Sequence, residues 1–180
     1  MRTRQSAAYK GIHALLMREG AKDFRSGQGF DHTIFFDEAV DIHHIFPAAW
    51  CEEKKIDARV YDTVINKTPL SYRTNRIIGG VAPSKYLHKL EQGRTKAGHV
   101  EEPPIERATL DSFLKTHCIP VDALRADRFE DFMNARQAAL LSLISTATGH
   151  HALVASAPLQ EGEELTPGLA IDSGVRVDDE

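Results

Sequence analysis

Four side chains in the 180-residue sequence, His43, His44, Asn66 and Asn75, have the chemistry to share one cation and one proton transfer. A phosphodiester resists hydrolysis because its anionic oxygens repel a nucleophile. A divalent cation on one of those oxygens cancels the charge and stabilises the departing alkoxide. An imidazole titrating near neutrality can take the proton from the attacking water. One imidazole nitrogen and one amide oxygen leave most positions on a cation open to water and phosphate, as catalysis needs and a closed structural site does not. Adjacent residues on a regular strand point to opposite faces, so His43 and His44 reach one phosphate together only where the strand twists or ends. Pro47, three residues after His44, is consistent with such an ending. On spacing alone, a His-His pair also suits a hydrogen-bonded core or surface.

The elements that must hold these side chains follow from patterning. Residues 40–47 alternate well enough to read as a short strand stopped by Pro47. A polar connection runs from about 48 to 61, and residues 62–70, with Val64 and Ile65, read as a second strand stopped by Pro69. Ser71 suits the N-cap of a short helix over 72–78, which Gly79-Gly80 would end. Strand, connection, strand and helix, with His first and Asn last, is the layout of a ββα metal finger spanning about 40–79. Around it, periodicity predicts helices over 5–19, from Pro83 to about 91, over 109–117 and over 127–149. The last repeats Phe129, Phe132, Met133, Leu140, Leu143, Ile144 and Ala147, with an Asp127/Glu130 capping box before it and Gly149 after it. Residues 97–108 read as a loop, Ser26, Gly27 and Gly29 as a turn, and Ile34-Phe35-Phe36 as a buried strand or an apolar anchor. The expected class is α+β, a ββα-metal motif embedded in a mostly helical domain over 1–158, with a mobile acidic tail over 159–180.

The net charge of −4 hides two blocks of opposite sign. Residues 159–180 hold seven acids against Arg176, and residues 53–96 hold ten Lys and Arg against four acids, a net +6. The cationic block suits a polyanionic partner as well as a solvated surface. Two cysteines, Cys51 and Cys118, exclude a disulfide framework and a four-cysteine zinc site, and suggest a reducing cytoplasm. No apolar run approaches 18 residues, so a transmembrane span is not expected, and residues 1–20 do not read as a signal peptide.

The stretches Asp41-Ile-His-His-Ile-Phe-Pro47, Ile65-Asn-Lys-Thr-Pro-Leu70, Arg73-Thr-Asn-Arg-Ile-Ile-Gly-Gly80 and Ala82-Pro-Ser-Lys-Tyr-Leu87 together resemble a known family. They are similar to the HNH (His-Me finger) nuclease domain that forms the C-terminal part of GmrSD-type phage-restriction endonucleases. Ala21-Lys-Asp-Phe-Arg25 and the helix start at 129–136 extend the likeness to roughly residues 5–149. Each piece is common, and the combination is specific. The resemblance implies a metal-dependent DNA endonuclease, a nicking phosphodiester hydrolase acting in antiviral defence. It implies His43 as the first metal ligand, His44 as the general base, Asn66 as a brace acting through backbone hydrogen bonds, and Asn75 as the second metal ligand. The cofactor implied is one Mg2+ or Mn2+ ion per finger. HNH domains often carry Asp where His43 stands, and imidazole tolerates softer metals than carboxylate does. The products implied are a 5′ phosphate and a 3′ hydroxyl.

The partner implied is double-stranded phage DNA, modified or not. Arg73, Arg76, Lys85 and Lys89, on or near the two short helices after the hairpin, read as grips on its phosphates beside the cut site or as solubilising surface charge. Complete family members add an N-terminal ParB-like nucleotide-hydrolysing sensor domain. Nothing like it stands in these 180 residues, so the expectation is an excised nuclease domain or a partner separated from its sensor. Two other readings are a non-catalytic DNA-binding module that keeps the finger for stability, and an HNH nuclease or toxin acting on RNA. Asp41 suits a partner to an imidazole nitrogen or a turn carboxylate. His88 and His99 read as surface residues, His117 with Cys118 as structural, Trp50 as a core anchor, and His150-His151 as lacking a third ligand nearby.

Overall fold

The computed structural model of the protein describes residues 7–30 and 40–150, except the side chains of Ala8, Val40 and Asp41. The readings of Ile34-Phe35-Phe36, of the Asp41 carboxylate, of His151 and of the tail at 159–180 lie outside the described residues. Two short strands, β1 (Val40–His44) and β2 (Lys67–Ser71), pair antiparallel with His43 opposite Thr68 and His44 opposite Lys67. Directly opposed residues share a face, so His43 belongs with Thr68 and His44 with Lys67. Sheet pairing stops at His44, one further bond joins the Ile45 N–H to the Asn66 carbonyl (2.8 Å), and Pro47 leads the chain into a helix that begins at Ala48.

The segment expected to be a polar connection holds two helices, α2 (Ala48–Glu53) and α3 (Ala58–Tyr61); α1 is the N-terminal helix Ala7–Arg18. They form because the segment hides Trp50, Cys51 and Tyr61 from water, and because Asp57 caps α3 by accepting from the Arg59 N–H at 2.7 Å. A single 3-10 turn (Val64–Asn66) follows, so the second strand starts at Lys67 rather than 62, and Asn66 stands just before it. The helix α4 (Tyr72–Ile78) has the expected bounds. The Ser71 hydroxyl accepts from the Thr74 N–H at 3.2 Å, and Gly79, at φ 57°, ends it. It packs on both strands.

The remainder is α5 (Pro83–Gln92), a hairpin of β3 (Arg94–Lys96) and β4 (His99–Glu102), then α6 (Arg107–Lys115), α7 (Val121–Arg125) and α8 (Phe129–Thr148). The hairpin replaces part of the expected loop. Its two-residue turn, Ala97-Gly98, has φ of 48° and 80°, the sign pattern of a tight hairpin turn. Gly93 lets it approach: a Cβ there would lie 2.2 Å from the Glu102 carbonyl oxygen. Asp127 and Glu130 do not form the expected capping box, since Arg128 stands at the N-cap of α8 without a side-chain cap bond. Asp127 does not cap α8; its carboxylate receives the Ser84 N–H (2.8 Å) and hydroxyl (2.6 Å), holding the start of α5 from a distance in sequence.

The architecture is therefore α+β, mostly helical, with two small antiparallel sheets among the described residues. Its main core gathers Phe46, Trp50, Phe129 and Phe132, whose rings meet Phe46 at 5.0–5.2 Å, with Leu87, Leu90, Leu110 and Leu114. A smaller cluster of Leu16, Ala21 and Leu140 joins α1 to α8. No helix among the described residues is long and apolar enough to cross a membrane.

Candidate functional site

His44 is the last residue of β1, and its side chain is 26% exposed. Its ring Nε2 meets the Asp62 carboxylate at 3.0 Å and its face lies edge-on to Tyr61 at 5.9 Å. The same Asp62 oxygen takes the ammonium of Lys67 at 2.6 Å. The Lys67 hydrogen bond, with a further one from His44, holds the Asp62 carboxyl below its ordinary range against a smaller opposing effect of burial. An ionised Asp62 accepts, so Nε2 carries a ring proton and donates it to the carboxylate. Asp62 has no place in the sequence reading. It lies in a segment read as connection and strand, and only its proximity in space reveals it.

Asn66 is wholly buried, and its amide is used up on backbone groups. Its oxygen accepts from the Phe46 N–H (2.8 Å), and its nitrogen donates to the carbonyls of Phe46 (2.9 Å) and Tyr61 (3.0 Å). It thereby fixes the chain that leaves β1 against the chain that enters β2. His43 is partly buried on β1, and Asn75 is partly buried on α4, the helix packed against that strand. No group of three or more His, Cys, Asp or Glu side chains is gathered as a metal cage among the described residues. A His-Asn pair of donors does not depend on one.

Three other side chains position this region. Asp23, 2% exposed, receives the N–H groups of Arg25, Ser26 and Ser71 and the hydroxyls of Ser26 and Thr74, at 2.7–3.2 Å. Burial opposes its ionisation, but the bonds from Ser26, Ser71 and Thr74 outweigh it and keep the carboxyl below its usual range. Asp23 so locks the 23–26 turn onto the start of α4. Arg136, wholly buried on α8, donates to the carbonyls of His117 (3.2 Å), Lys67 (3.0 Å) and Ile65, gripping the chain on both sides of Asn66. Burial pushes its guanidinium down to about 9. His117 takes the Thr68 hydroxyl on Nδ1 (2.6 Å) and gives its Nε2 proton to the Lys22 carbonyl (2.7 Å). It is a structural residue, and burial lowers its pKa to about 4.

Of the four expected phosphate contacts, Arg73, Arg76 and Lys89 line one cavity of about 690 Å³ between α4, α5 and the hairpin, while Lys85 stands exposed on α5 outside that lining. Arg73 is not a free cation. Its guanidinium holds Glu102 at 2.7 Å and the Glu101 carbonyl at 3.0 Å, because the hairpin folds back over α4. His88 and His99 are exposed, and Trp50 is buried in the aromatic core.

The chain is similar to an uncharacterized protein of Methanocaldococcus jannaschii, with 30% identity over 114 residues. That match takes in 63% of this chain and 18% of the relative's length. No family model matches the chain, and no solved structure does either.

Proposed function

We propose that this chain is a metal-dependent DNA endonuclease domain of the ββα-metal type, with His44 as general base, Asn66 as brace, and His43 and Asn75 as cation ligands. The observation that carries the reading is His44 at the end of a short strand, its Nε2 held by Asp62, while Asn66 locks the turn that follows. In this arrangement the His44 imidazole takes the proton from water, and Asp62 stabilises the imidazolium that results. The hydroxide formed bonds to phosphorus, the bond to the 3′ oxygen breaks, and that oxygen leaves to be protonated by solvent. A cation between His43 and Asn75 would neutralise a phosphate oxygen and the developing alkoxide. One imidazole and one amide suit Mn2+ or a borderline transition ion at least as well as Mg2+, which prefers oxygen ligands.

Phage restriction, on DNA recognised with the help of a nucleotide-hydrolysing sensor domain, is the role the resemblance supports. The free cysteines Cys51 and Cys118 support a cytoplasmic setting. The test is nicking of supercoiled plasmid with Mn2+ or Mg2+, with and without chelator, by the wild type and His44→Ala, beside structured RNA. Removing a general base costs about 10²–10⁴ in rate, so the variant is expected to lose nicking at least a hundredfold while binding DNA within about threefold of the wild type. A wild type that never cuts points to a binding module, and cleavage of RNA alone refutes the substrate class.

A further inference from the structure

We propose that the cavity between α4, α5 and the β3–β4 hairpin holds one unpaired nucleotide of the DNA strand, with its base on the Tyr72 ring and its phosphates between Arg76 and Lys89. Five cationic side chains line this cavity against one acid, Glu102. That acid is already neutralised, since Arg25 holds one of its oxygens at 2.6 Å and Arg73 the other at 2.7 Å. Arg94 is tied to Glu101. Among the described residues no carboxylate pairs with Arg76 or Lys89, so these two cations remain for an anion.

Phosphate alone would not call for the aromatic ring beside them. Tyr72 is 66% exposed at the cavity, a large ring left in water on a helix whose buried positions are Thr74 and Ile78. The Arg76 guanidinium lies 5.7 Å from the ring centre, and Ile77 and Leu90 add apolar lining. An aromatic face with adjoining cations is the combination that binds single strands, because every base has a π-face and every nucleotide a phosphate. Bases in a duplex are already stacked on each other, so a paired nucleotide has no face to offer. A cavity of this volume falls in the range of pockets that enclose small ligands.

The place in the fold joins this cavity to the proposed chemistry. Tyr72, Asn75 and Arg76 stand at i, i+3 and i+4 of α4, neighbours on one side of that helix. The Arg25–Glu102–Arg73 clamp fastens the hairpin to α4 and to the 23–26 turn, and the Gly93 approach sets the end of α5 against the end of β4. The choice of DNA rests on the nuclease reading; the choice of an unpaired base rests on Tyr72 and the cavity.

The experiment is fluorescence anisotropy in chelator, using a labelled oligothymidylate, the same length of duplex DNA and the matching RNA, with plasmid nicking run on the same protein samples. Tyr72→Ala is expected to lose about tenfold or more in affinity for the single strand and less than about threefold for the duplex, with Tyr72→Phe close to the wild type. Arg76→Ala and Lys89→Ala are each expected to weaken both and to flatten the dependence on salt by about one ion. Single-strand affinity unchanged in Tyr72→Ala, or lost equally for single strand and duplex, overturns the proposal. Tighter binding of the RNA overturns its choice of DNA. Failure to nick with the Tyr72 effect intact counts against the nuclease reading and leaves the nucleotide subsite standing.

Discussion

Asn66→Ala tests the framework of the site without any assumption about its activity. The substitution strips the Phe46 N–H and the Tyr61 carbonyl of the amide that pairs with them, and leaves the Phe46 carbonyl with only the weak Cys51 thiol contact at 3.7 Å. A buried polar group left unpaired costs about 1–3 kcal/mol. Two such groups, with a third weakened, give a loss of roughly 4 kcal/mol. A domain of this size has about 5–15 kcal/mol in all, so the variant should remain folded in buffer but melt at much lower urea. The protein's one tryptophan is a local reporter, since Trp50 packs 5.0 Å from the Phe46 ring. Equilibrium urea unfolding followed by Trp50 emission and by far-ultraviolet circular dichroism would measure the loss. Asn66→Asp keeps the acceptor for the Phe46 N–H but turns an oxygen toward two carbonyls. Its folded-state pKa should be raised, so its penalty is full above that pKa and shrinks as pH falls and the carboxyl becomes a donor. An Asn66→Ala unfolding free energy within about 1 kcal/mol of the wild type would refute the account of this side chain as the lock between the two strands.

Two further outcomes follow from the ionisable groups. Burial, with smaller contributions from nearby cations, lowers His13 from 6.5 to about 3, and burial lowers His117 from 6.5 to about 4. The unfolded chain therefore binds protons that the folded chain refuses below pH 6.5. Stability is complete above that pH and declines toward pH 4 and 3, by about 2 kcal/mol per histidine at pH 5. Urea midpoints at pH 7.5 and pH 5 check this, and equal midpoints would contradict it; Asp23, held below its usual range, keeps its charge throughout that window. Asp62→Asn removes the anion that holds His44, so nicking should fall about tenfold or more. The acid limb of its pH–rate profile should move to lower pH, because an imidazole without that carboxylate is protonated less readily. A profile that does not move would separate Asp62 from the base.

The elements nearest the candidate site were legible because their signals are local. Pro47 follows the end of β1, Ser71 caps α4 through Thr74, and Gly79 ends it at positive φ, each readable within a few residues. The long helix α8 was legible from its apolar period. What escaped the sequence depends on partners far along the chain. Asp127 and Glu130 have the spacing of a capping box, yet Asp127 serves Ser84, 43 residues away. The β3–β4 hairpin has three exposed residues in its first strand, so no alternation of apolar and polar marks it. Arg136 left a usable trace, since it falls between Met133 and Leu140 on the stripe that faces the core. A charged residue at a core-facing helix position signals a buried hydrogen-bonding task.

That task explains how so small a sheet can hold a site. Two five-residue strands are marginal by themselves, and the side chains that fix their geometry come from elsewhere. Arg136 reaches from α8 to the carbonyls of Ile65 and Lys67, His117 fastens Thr68, and Asp23 fastens Ser71, so β2 is held at both ends. Removing a buried cation's carbonyl partners is costly, and so is removing the cation, because each leaves polar groups in the core unpaired. On the proposed reading two histidines and two asparagines carry the chemistry, while the strand beside them is held by an arginine, a histidine and an aspartate that the reading gives no chemical part. A motif transplanted without those three would keep its residues and lose its geometry.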